Sequence, residues 1–157
     1  MTIKLLCVGK TDATALQTLI DNYEKRLRFY VKFIQETIPD IKNAKHLSQA
    51  QQKEKEGSII LKKIHPTDVV ILLDEHGKNY SSIDFSKYLQ KKMNTGIKQL
   101  VFVIGGPYGF SDAVYKKATE TLSISQMTFS HQMIRLFFTE QLYRAFTILN
   151  NEPYHHQ

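Results

Sequence analysis

The sequence has a single cysteine, Cys7, in 157 residues. A disulfide within the chain is therefore excluded, as is a zinc site built on cysteines. One thiol suits a reduced, cytoplasmic setting. No stretch approaches the roughly 18 consecutive apolar residues that a membrane-spanning helix needs. The opening MTIKLLCVGK carries only a short apolar run, Ile3 and Leu5 to Val8 interrupted by Lys4. That is shorter than the apolar core of a secretory signal and has no cleavage site after it, so a cytoplasmic protein is expected.

Several nucleotide and catalytic motifs are missing too. G-x-G-x-x-G starting at Gly105 would need glycines where Pro107 and Phe110 stand, and a phosphate loop would need a lysine before Ser111. There is no G-x-S-x-G elbow, and no zinc-finger, homeodomain or RNP-type signature. Tyr154-His155-His156 brings two histidines together, but adjacent histidines without partners at ligand spacing do not make a metal site. No metal is expected. An aromatic beside two histidines suits stacking on, or bonding to, a nucleobase better than it suits a frayed end.

What is present is positive charge, unevenly spread. Against 21 Lys and Arg stand 15 Asp and Glu, a net +6. Residues 1–67 hold 12 basic and 7 acidic side chains, residues 76–110 hold five lysines and one aspartate, and residues 111–157 balance at four each. Such a surface permits a polyanionic partner without demanding one. The lysines are scattered over helical segments, which suits a diffuse phosphate-binding surface or simply solvated helix faces, not a base-reading helix.

A length of 157 residues predicts one domain. Its hydrophobic pattern alternates strand and helix. Ile3–Val8 ends at Gly9 as a buried strand would. Thr11 or Asp12 is placed to cap a helix carrying Leu16, Leu19, Ile20, Tyr23 and Leu27. Phe29–Ile38, aromatic and β-branched, predicts a strand that stops before Pro39. Residues 47–64 predict a polar, exposed helix ended by Pro66. The unbroken apolar runs Val69–Leu73 and Leu100–Ile104 predict central parallel strands. Helices are expected from Ser81 or Ser82 to about Asn94, from Ser111 to about Thr119 and from Met133 to Asn150, with a short strand or loop at Leu122–Ser125. The result is an α/β fold with a mostly parallel sheet and helices on both faces.

Ligands in such sheets bind beyond the carboxyl ends of the strands. Three segments leave strand ends here: 73–77 (LDEHG), 105–110 (GGPYGF) and 125–130 (SQMTFS). They should meet in one crevice. The glycines of the second segment suggest a tight turn with positive φ, or a loop whose backbone approaches a ligand closely. Cys7, inside an apolar strand, reads as a small core residue.

The segments VFVIGGPYGF at 101–110 and LSISQMTFSHQMIRLFFTEQLYRAFTILNNEPYHHQ at 122–157, with KLLCVGK near the start and LDE-x-GK-x-x-S at 73–82, resemble the ribosomal RNA large subunit methyltransferase H family of SPOUT methyltransferases. The resemblance covers essentially the whole chain. It implies a homodimer with a deep C-terminal trefoil knot. It also implies transfer of a methyl group from S-adenosyl-L-methionine to N3 of a pseudouridine in 23S ribosomal RNA, on the ribosome. By resemblance, the cofactor pocket comprises Leu73, Gly105, Gly106, Ile124, Ser125, Gln126, Met127, Thr128 and Phe129, with Ser130 at its margin. Arg144, Tyr154 and His155 become the active-site and RNA-contacting groups, and the tail of one subunit is expected to complete the pocket of the other.

The chemistry of the residues is compatible with this. Leu73, Ile124 and Met127 are suited to walling an uncharged adenosine, read by backbone groups without a phosphate motif. The proton on N3 must leave, and His131, Glu140, Glu75 and His155 are the candidate acceptors. Arg135 and Arg144 lie nine positions apart, about half a turn around a helix, so they face opposite sides. The family pattern is often basic where this chain has His156, and often has proline where it has Ser130. Two other readings remain: a SPOUT methyltransferase acting on another RNA such as tRNA, and a ribosome-binding module without catalysis.

Overall fold

Residues 1–156 are described by a computed structural model. Along β1 (Thr2–Val8) the side chains alternate between two apolar layers. Ile3, Leu5 and Cys7 enter one, Leu6 and Val8 the other, and all five are buried. A strand covered on both faces needs apolar residues at every position, which is why these runs are continuous. The remaining elements in chain order are α1 (Thr14–Leu27), β2 (Lys32–Ile38), a 3₁₀ turn (Ala44–His46), α2 (Gln49–Lys62), β3 (Val69–Asn79), α3 (Ser82–Asn94), β4 (Gln99–Ile104), α4 (Asp112–Lys117), β5 (Glu120–Ser123) and α5 (Met133–Leu149).

The five strands form one sheet in the order β2-β1-β4-β3-β5, every neighbouring pair parallel. On one face α1, α3 and α5 bury Leu27, Phe85, Leu89, Phe138, Leu142 and Phe146 against Ile3, Leu5, Ile71 and Phe102. On the other, α2, the turn that follows it and α4 bury Ile60, Ile64 and Val114 against Leu6, Val70, Leu72 and Val101. Helices therefore cover both faces, as the alternation predicts.

Some boundaries differ from expectation, each for a local reason. Neither Thr11 nor Asp12 caps α1. Its N-cap is Ala13, without a side-chain bond, because Thr11 Oγ1 accepts from Arg135 and the Asp12 carboxylate accepts from Gln132. Phe29–Val31 do not belong to β2; their N–H groups bond to Arg26 and Leu27 carbonyls and prolong the end of α1. The helix α2 is polar but not wholly exposed: Glu56, Gly57 and Ile60 are buried, and its entry is a full capping box between Ser48 and Gln51.

β3 runs on past Leu73 to Asn79 with a register shift between Leu73 and Lys78. Segment 73–77 is thus an irregular stretch of strand, not a loop. Gly77 makes it possible, since a Cβ there would meet Leu122 N at 2.6 Å. Finally, β5 starts at Glu120 and ends at Ser123, which leaves Ile124 and Ser125 outside the sheet.

Candidate active site

An open cleft of about 960 Å³ lies at the carboxyl ends of β3 and β4. The three predicted segments do converge there. Leu73, Gly105, Gly106, Ile124, Ser125, Met127, Thr128, Phe129 and Ser130 all line it, and Gln126 does not. Asp74, Glu75, His76, Ile104, Tyr115, His131 and Ile134 complete much of its wall, with Gln49, Ala50 and Lys53 from α2. The lining is apolar on the sides formed by Leu73, Ile104, Ile124 and Met127, and carries backbone and hydroxyl groups elsewhere. That mixture suits a flat heteroaromatic ligand with a polar ribose.

The third loop is braced from within. Ser123 Oγ donates to Ser125 O at 2.8 Å, and Met127 N–H donates to Ser125 Oγ at 2.9 Å. Ser130, where a proline was the family expectation, accepts at Oγ from Met133 N–H (3.2 Å) and at its carbonyl from Ile134 N–H (3.1 Å). It stiffens by hydrogen bonding what a proline ring would stiffen covalently. Arg135, fully buried at the start of α5, donates to His131 O (3.0 Å), Thr11 Oγ1 (2.9 Å) and Val8 O (2.7 Å). One guanidinium fork ties the end of the third loop to the end of β1.

The glycines of the second loop work differently from the sequence expectation. Only Gly109 of the three has positive φ, at 77°. A Cβ on Gly105 would touch the Phe110 ring at 3.0 Å, and one on Gly106 would lie 2.5 Å from Glu56 Oε2. Their small size admits the protein's own side chains behind the loop. Glu56 is 3% exposed. Its Oε1 accepts from Gln52 (2.9 Å), while Oε2 has no partner. Burial pushes its carboxyl above the usual range, opposed by the Gln52 bond; Asp40 adds to the rise and His131 opposes it. The next residue, Gly57, faces Ser111, whose hydroxyl is likewise buried without a partner.

Asp74 is the opposite case. Burial alone would raise its carboxyl. Bonds from the Tyr115 hydroxyl and from the His76 N–H and ring outweigh that and hold it below the ordinary range. It stays a carboxylate facing the cleft.

Arg144, Tyr154 and His155 come together, but away from this cleft. Ile134 lines the cleft and Arg144 follows ten residues on, about 15 Å along the helix axis. Around Glu140 Oε1 gather Arg144 Nη2 (2.6 Å), Arg144 Nε (3.1 Å) and Tyr154 Oη (3.0 Å). Gln141 Nε2 donates to Oε2 at 2.9 Å. The guanidinium also lies over the Tyr154 ring at 4.8 Å, and the Tyr154 hydroxyl is 3.2 Å from that of Tyr23. Burial first, then the bonds to Tyr23 and Glu140, raise the Tyr154 phenol.

Arg144 Nη1 stands 3.3 Å from His155 Nδ1. A guanidinium only donates, so the contact is a hydrogen bond in the tautomer that leaves Nδ1 to accept and carries its proton on Nε2. Two candidate proton acceptors are therefore occupied: Glu140 by four donors from three side chains and His155 by Arg144. Glu75 and His131 are the two that face the cleft. Arg135 and Arg144 do point to opposite sides, one buried and one partly exposed.

Sequence reasoning missed Glu56 and Tyr115 as site residues, and named Asp74 only as part of the 73–77 segment. The one available signal was the Glu56-Gly57 pair, a glycine in the middle of an otherwise ordinary polar helix. No group of three or more potential metal ligands occurs among the described residues.

A parallel sheet with a carboxyl-end cleft of this composition defines a class, and comparison gives it a name. The family described as "Predicted SPOUT methyltransferase" matches residues 1–155, and the chain belongs to it. More narrowly, it is a member of the ribosomal RNA large subunit methyltransferase H family. The proteins of that name from Flavobacterium psychrophilum, Flavobacterium johnsoniae and Christiangramia forsetii are 71%, 69% and 63% identical to it, each over 100% of both chains. Among solved structures, it is similar to the SpoU methyltransferase AviRb from Streptomyces viridochromogenes in complex with AdoMet. That match has a TM-score of 0.45 and 14% identity, covering 95% of this chain and 58% of AviRb.

Proposed function

We propose that this protein methylates N3 of a pseudouridine in large-subunit (23S) ribosomal RNA, using S-adenosyl-L-methionine, in the cytoplasm and as a homodimer. The observation that carries the reading is the convergence of the three matched segments on one cleft, together with the names of relatives identical at most positions over their whole length. The methyl donor fits the residues present. Leu73, Ile124 and Met127 would wall the adenine, and backbone groups of the 105–106 and 124–129 loops would bond its edges. Bound there, it supplies an electrophilic methyl on a sulfonium.

The chain's own task is then positioning. The base nitrogen must approach in line with the bond that breaks, and its proton must pass to an acceptor. Arg144 is oriented by Glu140 and stacked on Tyr154, so its remaining donor capacity and the Nε2–H of His155 present two donors to a base or phosphate.

The separation of the two groups favours a composite site. The cleft sits at the start of α5 and the Arg144–Tyr154–His155 group near its end, so one chain does not bring them together. In a pair of chains related by a two-fold axis, the tail of one would complete the cleft of the other. The knot belongs to the reading through the family resemblance; in the sheet, β5 follows β4 in sequence yet lies beyond β3, and 124–132 then lead to α5, which packs against α1 and α3.

Calorimetry with S-adenosyl-L-methionine tests the donor, and no detectable binding would sink the enzyme reading. Methylation of large ribosomal subunits, with mass mapping of the modified nucleotide, tests the target. Product found only on tRNA, or on uridine never isomerised, would overturn it. A heterodimer of one tail-truncated chain and one cleft variant should retain one working site; no activity would show that cleft and tail act within one chain.

A further inference from the structure

The turn between α1 and β2 presents an aromatic ring that the fold does not use. Phe29 is 88% exposed, the most exposed of the large hydrophobic side chains described. It belongs to neither core layer and pairs with no other aromatic ring among the described residues. Its backbone is fixed nonetheless. Phe29 N–H donates to Arg26 O (3.2 Å), and the N–H groups of Tyr30 and Val31 both donate to Leu27 O (2.9 and 3.1 Å). Tyr30 is anchored by its hydroxyl to Glu152 (2.6 Å) and stacks on Phe146. The ring therefore stands on a rigid corner.

Lys25, Arg26, Arg28 and Lys32 are all exposed around it, and none forms an ion pair among the described residues. This contrasts with Lys4 and Lys63, which are both held by Glu36. The nearby carboxylates are committed: Glu152 to Tyr30, Asp21 to Gln17, and Glu24 is half-buried. Arg26 lies 5.8 Å over Tyr23 and 5.7 Å over Tyr143, and Tyr23 in turn touches Tyr154. The corner is thus continuous with the Arg144–Tyr154–His155 group.

We propose that Phe29, with Lys25, Arg28 and Lys32, is an RNA docking platform, on which an unpaired nucleotide of the ribosomal RNA substrate stacks while the cations hold its flanking phosphates. The inference rests on the reading that large-subunit RNA is the substrate. Aromatic rings ringed by free cations suit single-stranded nucleic acid, because every base has a face to stack and every linkage a charge to neutralise. A second copy of this chain fits poorly with the patch on the two-fold axis. Pairing the patch with itself across a two-fold axis would set eight cations against one another.

The test is steady-state methylation of large ribosomal subunits carrying unmethylated 23S RNA, with Phe29→Ala, Phe29→Trp and the double variant Arg28→Gln/Lys32→Gln. Phe29→Ala should raise KM for the subunit about tenfold, the loss of one stacked base, with kcat and S-adenosyl-L-methionine affinity unchanged. Phe29→Trp should restore KM. The double variant should flatten the dependence of log KM on log salt by roughly 0.7 for each phosphate that the protein no longer neutralises. A Phe29→Ala KM within twofold of wild type overturns the platform, as does a change in sedimentation that marks the ring as a self-association surface. A wild-type protein that binds the methyl donor yet leaves large subunits unmodified would instead overturn the substrate reading beneath it.

Discussion

Glu56 sits directly behind Gly106: a methyl group on that glycine would lie 2.5 Å from Oε2 and 2.8 Å from Oε1 of the carboxylate. The side chain is covered, so it has no open path to swing away. Gly106→Ala must therefore push the loop into the cleft or drive Glu56 from its seat. We expect a loss of about 1–3 kcal/mol in stability, typical of overpacking, and at least tenfold weaker binding of S-adenosyl-L-methionine by calorimetry. Wild-type affinity in a folded Gly106→Ala protein would show that the loop backbone does not set the pocket.

The same carboxyl gives a pH signature. Its folded-state value lies above the ordinary one, chiefly through burial, so the folded state binds that proton more tightly than the unfolded chain does. Its contribution is then favourable below the unfolded value and is lost as pH rises through the folded one. Glu56→Gln, which keeps the shape and the Gln52 bond without the charge, should melt higher than wild type at pH 7. The gap should close on acidification toward pH 4. A constant difference across that range would show that ionisation of Glu56 carries no cost.

Arg135 makes a prediction about the opposite side of the cleft. Its guanidinium donates to three neutral oxygens on His131, Thr11 and Val8 and is fully buried. Arg135→Met leaves those acceptors without donors and frees the end of the third loop. A destabilisation of about 2–4 kcal/mol in denaturant is expected, together with weaker cofactor binding. Arg135→Lys should not restore either quantity, because a single ammonium lacks the planar fork that spans three acceptors. Full rescue by lysine would reduce the role of Arg135 to that of a buried charge.

How much of this was legible beforehand follows from the range of the forces involved. The strands Val69–Leu73 and Leu100–Ile104 could be read because burial on two faces dictates an unbroken apolar run. The three cleft segments could be placed because parallel strands direct their ends to one side. The α1 cap could not, because the fate of Thr11 and Asp12 depends on Arg135 and Gln132, more than a hundred residues away. Phe29 misled for a related reason: its β propensity is real, but the last carbonyls of α1 claim its backbone first. The Glu56–Gly106 contact was invisible because it joins a helix and a loop fifty residues apart, and no periodicity records such a meeting. A knot and a pairing of chains are expected through resemblance alone, since strand-by-strand reasoning favours an open sheet.

The tail cluster allows the sharpest separation of structure from catalysis. Tyr154→Phe removes only the hydroxyl that bridges Glu140 and Tyr23; the ring keeps its edge contact with Tyr143 (4.8 Å) and its stack beneath Arg144. Because the side chain is partly exposed, the loss in stability should stay near 1 kcal/mol. The cleft is built from other residues, so affinity for S-adenosyl-L-methionine should not change. With one of its donors gone, Glu140 holds Arg144 less rigidly, and if Arg144 contacts the substrate as proposed, misplacing it degrades positioning in the transition state. A fall of about tenfold in kcat is expected, with Glu140→Gln falling further because it loses the charge that orients the guanidinium. If Tyr154→Phe and Glu140→Gln both methylate ribosomal subunits at the wild-type rate, the Arg144–Tyr154–His155 group lies outside the reaction, and the composite site loses its support.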